Sequence, residues 1–187
     1  EALAARACVL AEEELGPPPC GYALLLLGRA ARREGPALCP LWHAVVHEDA
    51  PGEAHGTDHG TEWFARLGER LAHAFESMHM AGAPGSPRAS DGDWRGTPGQ
   101  WRERLEGWMA HGPQDPGHLD FRPVHGALWL GEALRAHVTG LAHRAGLGVL
   151  APPPEAPGEE SPAEGAVNAV RAWAFGRGVT RISSVER

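Results

Sequence analysis

The feature that most constrains this chain is one short run, Tyr22-Ala23-Leu24-Leu25-Leu26-Leu27. It is uniformly apolar, and it lies between Gly16-Pro17-Pro18-Pro19 on one side and Gly28 on the other. Six residues are too few for a core helix. Uniform apolarity without alternation predicts a strand buried on both faces, hence one in the middle of a sheet covered by helices.

The flanking segments supply the covers. Ala2–Leu15 carries apolar positions at helical spacing and ends at Gly16. Leu41–His47 is rich in β-formers and reads as a second strand. In Glu62–Met78, Trp63, Phe64, Leu67, Leu71, Ala74, Phe75 and Met78 form one apolar stripe, the pattern of an amphipathic helix. Ala81–Gly96 reads as a Gly/Pro-rich loop. Pro98–Met109 reads as a helix with Thr97 as N-cap and Pro98 in its first turn. A short strand over His118–Val124 and a helix over Leu128–Ala145 follow. The order predicts an α+β fold, a mixed sheet with helices against it. Pro152–Pro162 reads as a linker and Ala163–Phe175 as a final helix. The expected division is therefore a main domain over 1–150 and a linker with a helical segment over 151–187.

Composition narrows the function classes. Of the 187 residues, 42% are hydrophobic, enough for a core. The formal charge is −7 and all 17 basic residues are Arg. An acidic chain without a basic stripe argues against a dedicated nucleic-acid binder. Arg29, Arg32 and Arg33 form the one local cluster. The run Tyr22–Leu27 is far too short to span a membrane, and no signal-peptide pattern is visible. Cys8, Cys20 and Cys39 form no CxxC pair, as expected of reduced cysteines in a cytoplasmic protein. The stretch from Glu1 to Arg187 has no evident end signal, so a piece of a longer protein is expected.

The strand, then Gly28-Arg29-Ala30-Ala31-Arg32-Arg33-Glu34, then the second strand make a suggestive local pattern. A glycine turn lets backbone amides approach phosphates. Further segments accompany it: Leu15-Gly16-Pro17-Pro18-Pro19, Glu48-Asp49, Ala89-Ser90, Trp94-Arg95-Gly96 with Trp101, and Asp120-Phe121-Arg122-Pro123-Val124-His125-Gly126. Together they resemble a family of bacterial nucleotidyltransferases often found beside CBS and cyclic-nucleotide-binding domains. That family is related to the PII-protein uridylyltransferases and to the polymerase-beta-like superfamily. Val170-Arg171, Gly178-Val179-Thr180 and Glu186-Arg187 resemble its helical C-terminal region.

The resemblance implies a site in which a D-x-D pair on the second strand holds Mg²⁺ for a nucleoside triphosphate. Its register, run forward from Gly28, puts those aspartates on Pro40 and Trp42, the turn serine on Arg29, its second glycine on Ala31 and the following asparagine on His43. No Asp or Glu occurs between Gly35 and His47. What remains is Asp120 as a candidate catalytic carboxylate, with Gly28, Arg29, Arg32 and Glu34 as a nucleotide- or anion-binding turn; the alternative is that Arg32 and Glu34 simply form a structural ion pair. No metal ligand set is expected.

The expectation is a degenerate, catalytically inactive domain serving as a regulatory or anion-binding module in signal transduction. Its partners would be a nucleotide or anion, a signalling protein or neighbouring domains, with a homodimer open. One alternative is an active uridylyl- or adenylyltransferase whose altered metal site uses Asp120, Glu34 and Glu48, with Mg²⁺ and a nucleoside triphosphate as cofactors. Another is a structural or oligomerisation domain with Trp42 filling the old pocket.

Rival sites are weaker. His43 and His47 share a strand face opposite Trp42, and His55 and His59 lie in a polar loop, but none has zinc-site spacing. Met78-His79-Met80 suits a helix end. The tryptophans at 42, 63, 94, 101, 108, 129 and 173 fall at core spacings, although base stacking is open for Trp42 and Trp94. Ser90, His125 and Asp120 lack the turn that presents a serine nucleophile.

Overall fold

A computed structural model of the chain describes residues 1–34, 40–49, 59–111 and 116–144. In chain order the elements are α1 (Ala2–Leu15), β1 (Tyr22–Leu27), α2 (Gly28–Ala31), β2 (Trp42–His47), α3 (His59–Ser77), β3 (Arg95–Gly96), α4 (Pro98–His111), β4 (Phe121–Gly126) and α5 (Leu128–Arg144). The expected linker and final helix, like the His55 loop, lie outside the described residues.

The sheet runs β3-β2-β1-β4. β1 is antiparallel to both β2 and β4, while β3 joins β2 in parallel. The fold is thus α+β with a mixed sheet flanked by helices, consistent with a nucleotidyltransferase-like architecture. β1 is interior and all six of its residues are buried, as its uniform apolarity requires. Its alternation feeds two cores. Tyr22, Leu24 and Leu26 pack with Val45 against α1 and α3 through Ala4, Cys8, Phe64, Leu67 and Phe75. Ala23, Leu25 and Leu27 pack with Ala44 and Val46 against α4 and α5 through Trp101, Leu105, Leu130 and Leu134.

Local chemistry sets the helix ends. α3 closes in a Schellman turn: the Met80 amide donates to the Phe75 carbonyl at 2.8 Å and the His79 amide to Glu76 at 3.0 Å. His79 takes the left-handed conformation this needs, φ 56°, and Met80 tucks into the core. α4 opens with a reciprocal cap: the Thr97 amide donates to Gln100 Oε1 at 2.9 Å, and the Gln100 amide reaches Thr97 Oγ1 at 3.4 Å. Trp101 then donates its indole N–H to the Val45 carbonyl at 3.0 Å, pinning α4 to β2.

Three expectations need correction. The last strand starts at Phe121, because Pro116–Leu119 forms a 3₁₀ turn. The segment expected as loop over Ala81–Gly96 ends in a 3₁₀ turn at Gly92–Trp94 and the two-residue β3. Trp129 is not a core residue: it is 59% exposed, since the buried row of α5 is Leu130, Leu134, Val138 and Ala142.

Candidate functional site

β1 runs towards Gly28, and both of its neighbours begin there. Leu27 pairs with Trp42 at the start of β2 and with Phe121 at the start of β4. One end of the sheet therefore gathers Gly28, Trp42 and Asp120, although 92 positions separate the first from the last.

At Gly28 the chain turns from β1 into the four-residue α2 with φ 57°, a left-handed conformation that favours glycine. A Cβ there would also stand 3.2 Å from Trp42 Cε3. The indole thus lies against the turn, partly buried on the core of Leu27, Ala44 and Trp101. The Gly28 amide, the group a phosphate-binding turn would offer, donates to the Asp120 carbonyl at 2.9 Å.

The charged residues close on one another. Arg32 donates from Nε to Glu34 Oε2 and from Nη1 to Asp120 Oδ2, each at 2.7 Å. Their side chains are only 8%, 13% and 12% exposed. A guanidinium fork engaging two carboxylates at this distance is a strong, directional arrangement. Arg29 stands exposed on α2. Of the sequence-derived site residues, the fold therefore brings Gly28, Arg32, Glu34 and Asp120 together and leaves Arg29 on the rim.

Glu48, the third carboxylate considered for an altered metal site, lies elsewhere. Its Oε2 accepts the Gly21 amide at 3.0 Å, at the opposite end of β1. Gly21 and Gly28 are seven residues apart along an extended strand, roughly 23 Å.

Sequence reasoning missed two contributors. Arg122 donates from Nη1 to Glu1 Oε1 at 3.0 Å and from Nη2 to the Ala30 carbonyl at 3.3 Å, tying α2 to β4 and α1. Its place in the Asp120–Gly126 motif was the available signal. His118 is buried among Trp42, Trp94 and Trp108, with ring centroids at 5.8, 4.8 and 5.6 Å. Nothing in its sequence context marked it.

A family model described as Putative nucleotidyltransferase DUF294 matches residues 1–115. The chain belongs to this family. The match covers the Gly28 turn, both long strands that flank it, and the segment from Ala89 to Trp101. The Asp120–Gly126 motif lies beyond the matched stretch. No curated protein matches the chain.

Nucleotidyl transfer in the superfamily this family resembles runs through Mg²⁺, which takes hard oxygen ligands near 2.0–2.1 Å in octahedral array. The described residues do not fit that ion. Asp120 and Glu34 each give an oxygen to Arg32, and Glu48 is a strand length away. Residues 35–39 contribute no carboxylate of their own, being Gly-Pro-Ala-Leu-Cys. Among the described residues no group of three or more His, Cys, Asp or Glu is placed to hold a metal. His43 and His47 do share a face of β2, on the α1/α3 side and away from Trp42, but they face aromatic rings: His43 meets Phe75 edge-on and His47 stacks on Phe64. No described helix is long and apolar enough to cross a membrane.

Proposed function

We propose that this member of the nucleotidyltransferase family has lost metal-dependent transfer and acts as a non-catalytic module, regulating a signalling protein or a neighbouring domain. The observation that carries the proposal is the Arg32 clamp. The one carboxylate at the turn that the family resemblance would assign to catalysis, Asp120, is bonded to Arg32 inside the fold. The register from Gly28 supports it, since it places Pro40 and Trp42 where two aspartates would stand. The resemblance to PII-protein uridylyltransferases supports a regulatory setting. If the module takes an anion or nucleotide, Arg29, exposed on α2, is where it would meet the turn.

The test is transfer of label from α-labelled nucleoside triphosphates to protein or small-molecule acceptors, with Mg²⁺ present. None is expected. Label transfer that disappears in Asp120→Asn would overturn the proposal.

A second reading is favoured by Trp42 itself: a domain whose pocket is filled and whose role is structural. A thermal-shift panel of nucleotides separates the two. Binding to the native state alone raises stability by about 2.7 kcal/mol at a hundredfold excess over Kd. A shift that Arg29→Gln removes supports the anion-binding form. No shift with any nucleotide supports the structural one.

A further inference from the structure

Beside the start of β2, a pocket opens between α3 and the loop that follows it. Leu41, Phe75, His43, Glu76, Ser86 and Arg88 are among its walls. Its volume, about 80 Å³, is far below the several hundred Å³ of a drug- or nucleotide-sized site.

The pocket is built on fixed backbone. The Leu41 amide donates to the Met80 carbonyl at 2.8 Å and the His43 amide to Pro87 at 3.1 Å, so the loop runs along the edge of β2. Arg95 Nη1 holds the carbonyls of Ala89 and Ser90 at 2.9 and 2.7 Å. On the other side α3 presses against the loop at Gly68, where a Cβ would meet the Ala89 carbonyl oxygen at 2.1 Å. A loop held this way offers a preformed cavity, with little ordering left for a ligand to impose.

Its polar groups are of three kinds. His43 is 2% exposed, and its Nδ1 accepts the Ala89 amide at 3.2 Å. The ring therefore carries its hydrogen on Nε2, the donor left for a ligand. Arg88 and Glu76 bring opposite charges to the same pocket, and both residues are exposed. A buried neutral donor, a cation and an anion around a small apolar cavity match a molecule carrying both charges on few atoms.

We propose that this pocket binds a small zwitterion, an α-amino acid with a short side chain. Its carboxylate would lie on Arg88 and the His43 Nε2–H, and its ammonium on Glu76. Leu41 and Phe75 would bound the side chain and exclude long ones. Burial supports the role of His43 by driving its pKa down to about 3, aided by the Arg88 charge, so that the ring donates as a neutral group at neutral pH. This inference stands apart from the loss of transfer and would survive its failure.

Isothermal titration of the whole chain with glycine, L-alanine and L-serine tests it. Acetate and ethylammonium serve as probes carrying one charge each. Saturable binding of the amino acids is expected, with each one-charge probe weaker. Arg88→Gln and Glu76→Gln change exposed side chains, so the fold should persist. Each should weaken binding by about tenfold or more, the loss of one hydrogen bond to a charged group. The proposal is overturned by the absence of saturable binding, by acetate binding as tightly as alanine, or by unchanged affinity in both variants.

Discussion

The two ends of β1 answer the same problem differently. At Gly21 and Tyr22 the carboxylates accept hydrogen bonds from a backbone amide and a phenol. Glu48 takes the Gly21 amide, and Glu12 takes the Tyr22 hydroxyl while also meeting His125 Nε2 at 3.0 Å. At Leu27 and Gly28 the carboxylates converge instead on one guanidinium, and an indole covers the turn. The histidines of β2 follow the same divide. His47, at the first end, faces the Glu48 carbonyl through Nδ1 at 2.9 Å and so must donate there. His43, at the second, accepts at Nδ1. The contrast teaches that the end where the family resemblance places its chemistry is the more closed of the two. Both its carboxylates are engaged by Arg32, and its backbone donor is used by the fold.

The largest effect should come from breaking that match. Arg32→Ala leaves Asp120 and Glu34 together, nearly buried, with their shared cation gone. Removing one partner of a buried ion pair costs about 3–5 kcal/mol. Urea unfolding should show a loss of that order, with Asp120→Asn recovering part of it in the double variant. A loss under about 1 kcal/mol, the scale of exposed pairs, would mean that the clamp is not a buried network and that the two ends are alike.

The next effect is one of pH, and it belongs to His43. Its pKa falls from the ordinary 6.5 to about 3 because burial disfavours the charged ring. Between those values the unfolded chain binds a proton that the folded chain does not. The contribution is therefore whole above about pH 6.5 and is lost as pH falls towards 3. At about 1.4 kcal/mol per unit, roughly 2.7 kcal/mol should be gone by about pH 4.5. His43→Asn, which can still accept the Ala89 amide, should flatten the stability profile over that range. An equally steep profile in the variant would place the acid sensitivity elsewhere.

Much of this was legible in the residues and some was not, for physical reasons. β1 announced itself because a strand buried on both faces needs no alternation. α3 did so because its stripe runs over several turns. The turn at Gly28 was visible from the glycine after the strand. β3 was invisible, since two residues carry no period. The Arg32–Glu34 ion pair was readable as an alternative; its link to Asp120 was not, because Arg32 and Asp120 are 88 residues apart and only the pairing of β4 with β1 joins them. Trp129 misled because its spacing suggested a core position, whereas the neighbouring Leu130 holds the inward one.

Trp42→Ala probes the indole lid. The side chain is partly buried, so the cost should be about 2 kcal/mol, below the 3–5 of a fully buried tryptophan. If the ring only fills space, the variant should melt lower and still show no nucleotide-induced shift. A shift that appears only in the variant would show that Trp42 blocks an otherwise competent turn.

The smallest effect is expected at the other end of the strand. Glu48→Gln keeps an oxygen for the Gly21 amide and loses only the charge. Hydrogen bonds to charged acceptors exceed neutral ones by about 1 kcal/mol, so the melting temperature should drop slightly and the fold should hold. The same variant asks a functional question. Glu48 was one of three carboxylates that an altered metal site would recruit, and the structure puts it roughly 23 Å of strand away from Gly28. Glu48→Gln should therefore leave any nucleotide-induced shift unchanged while Arg29→Gln alters it. If Glu48→Gln instead abolished such a shift, the two ends of β1 would have to communicate. The division between a closed, ion-paired end and a hydrogen-bonded one would then fail as an account of where ligands act.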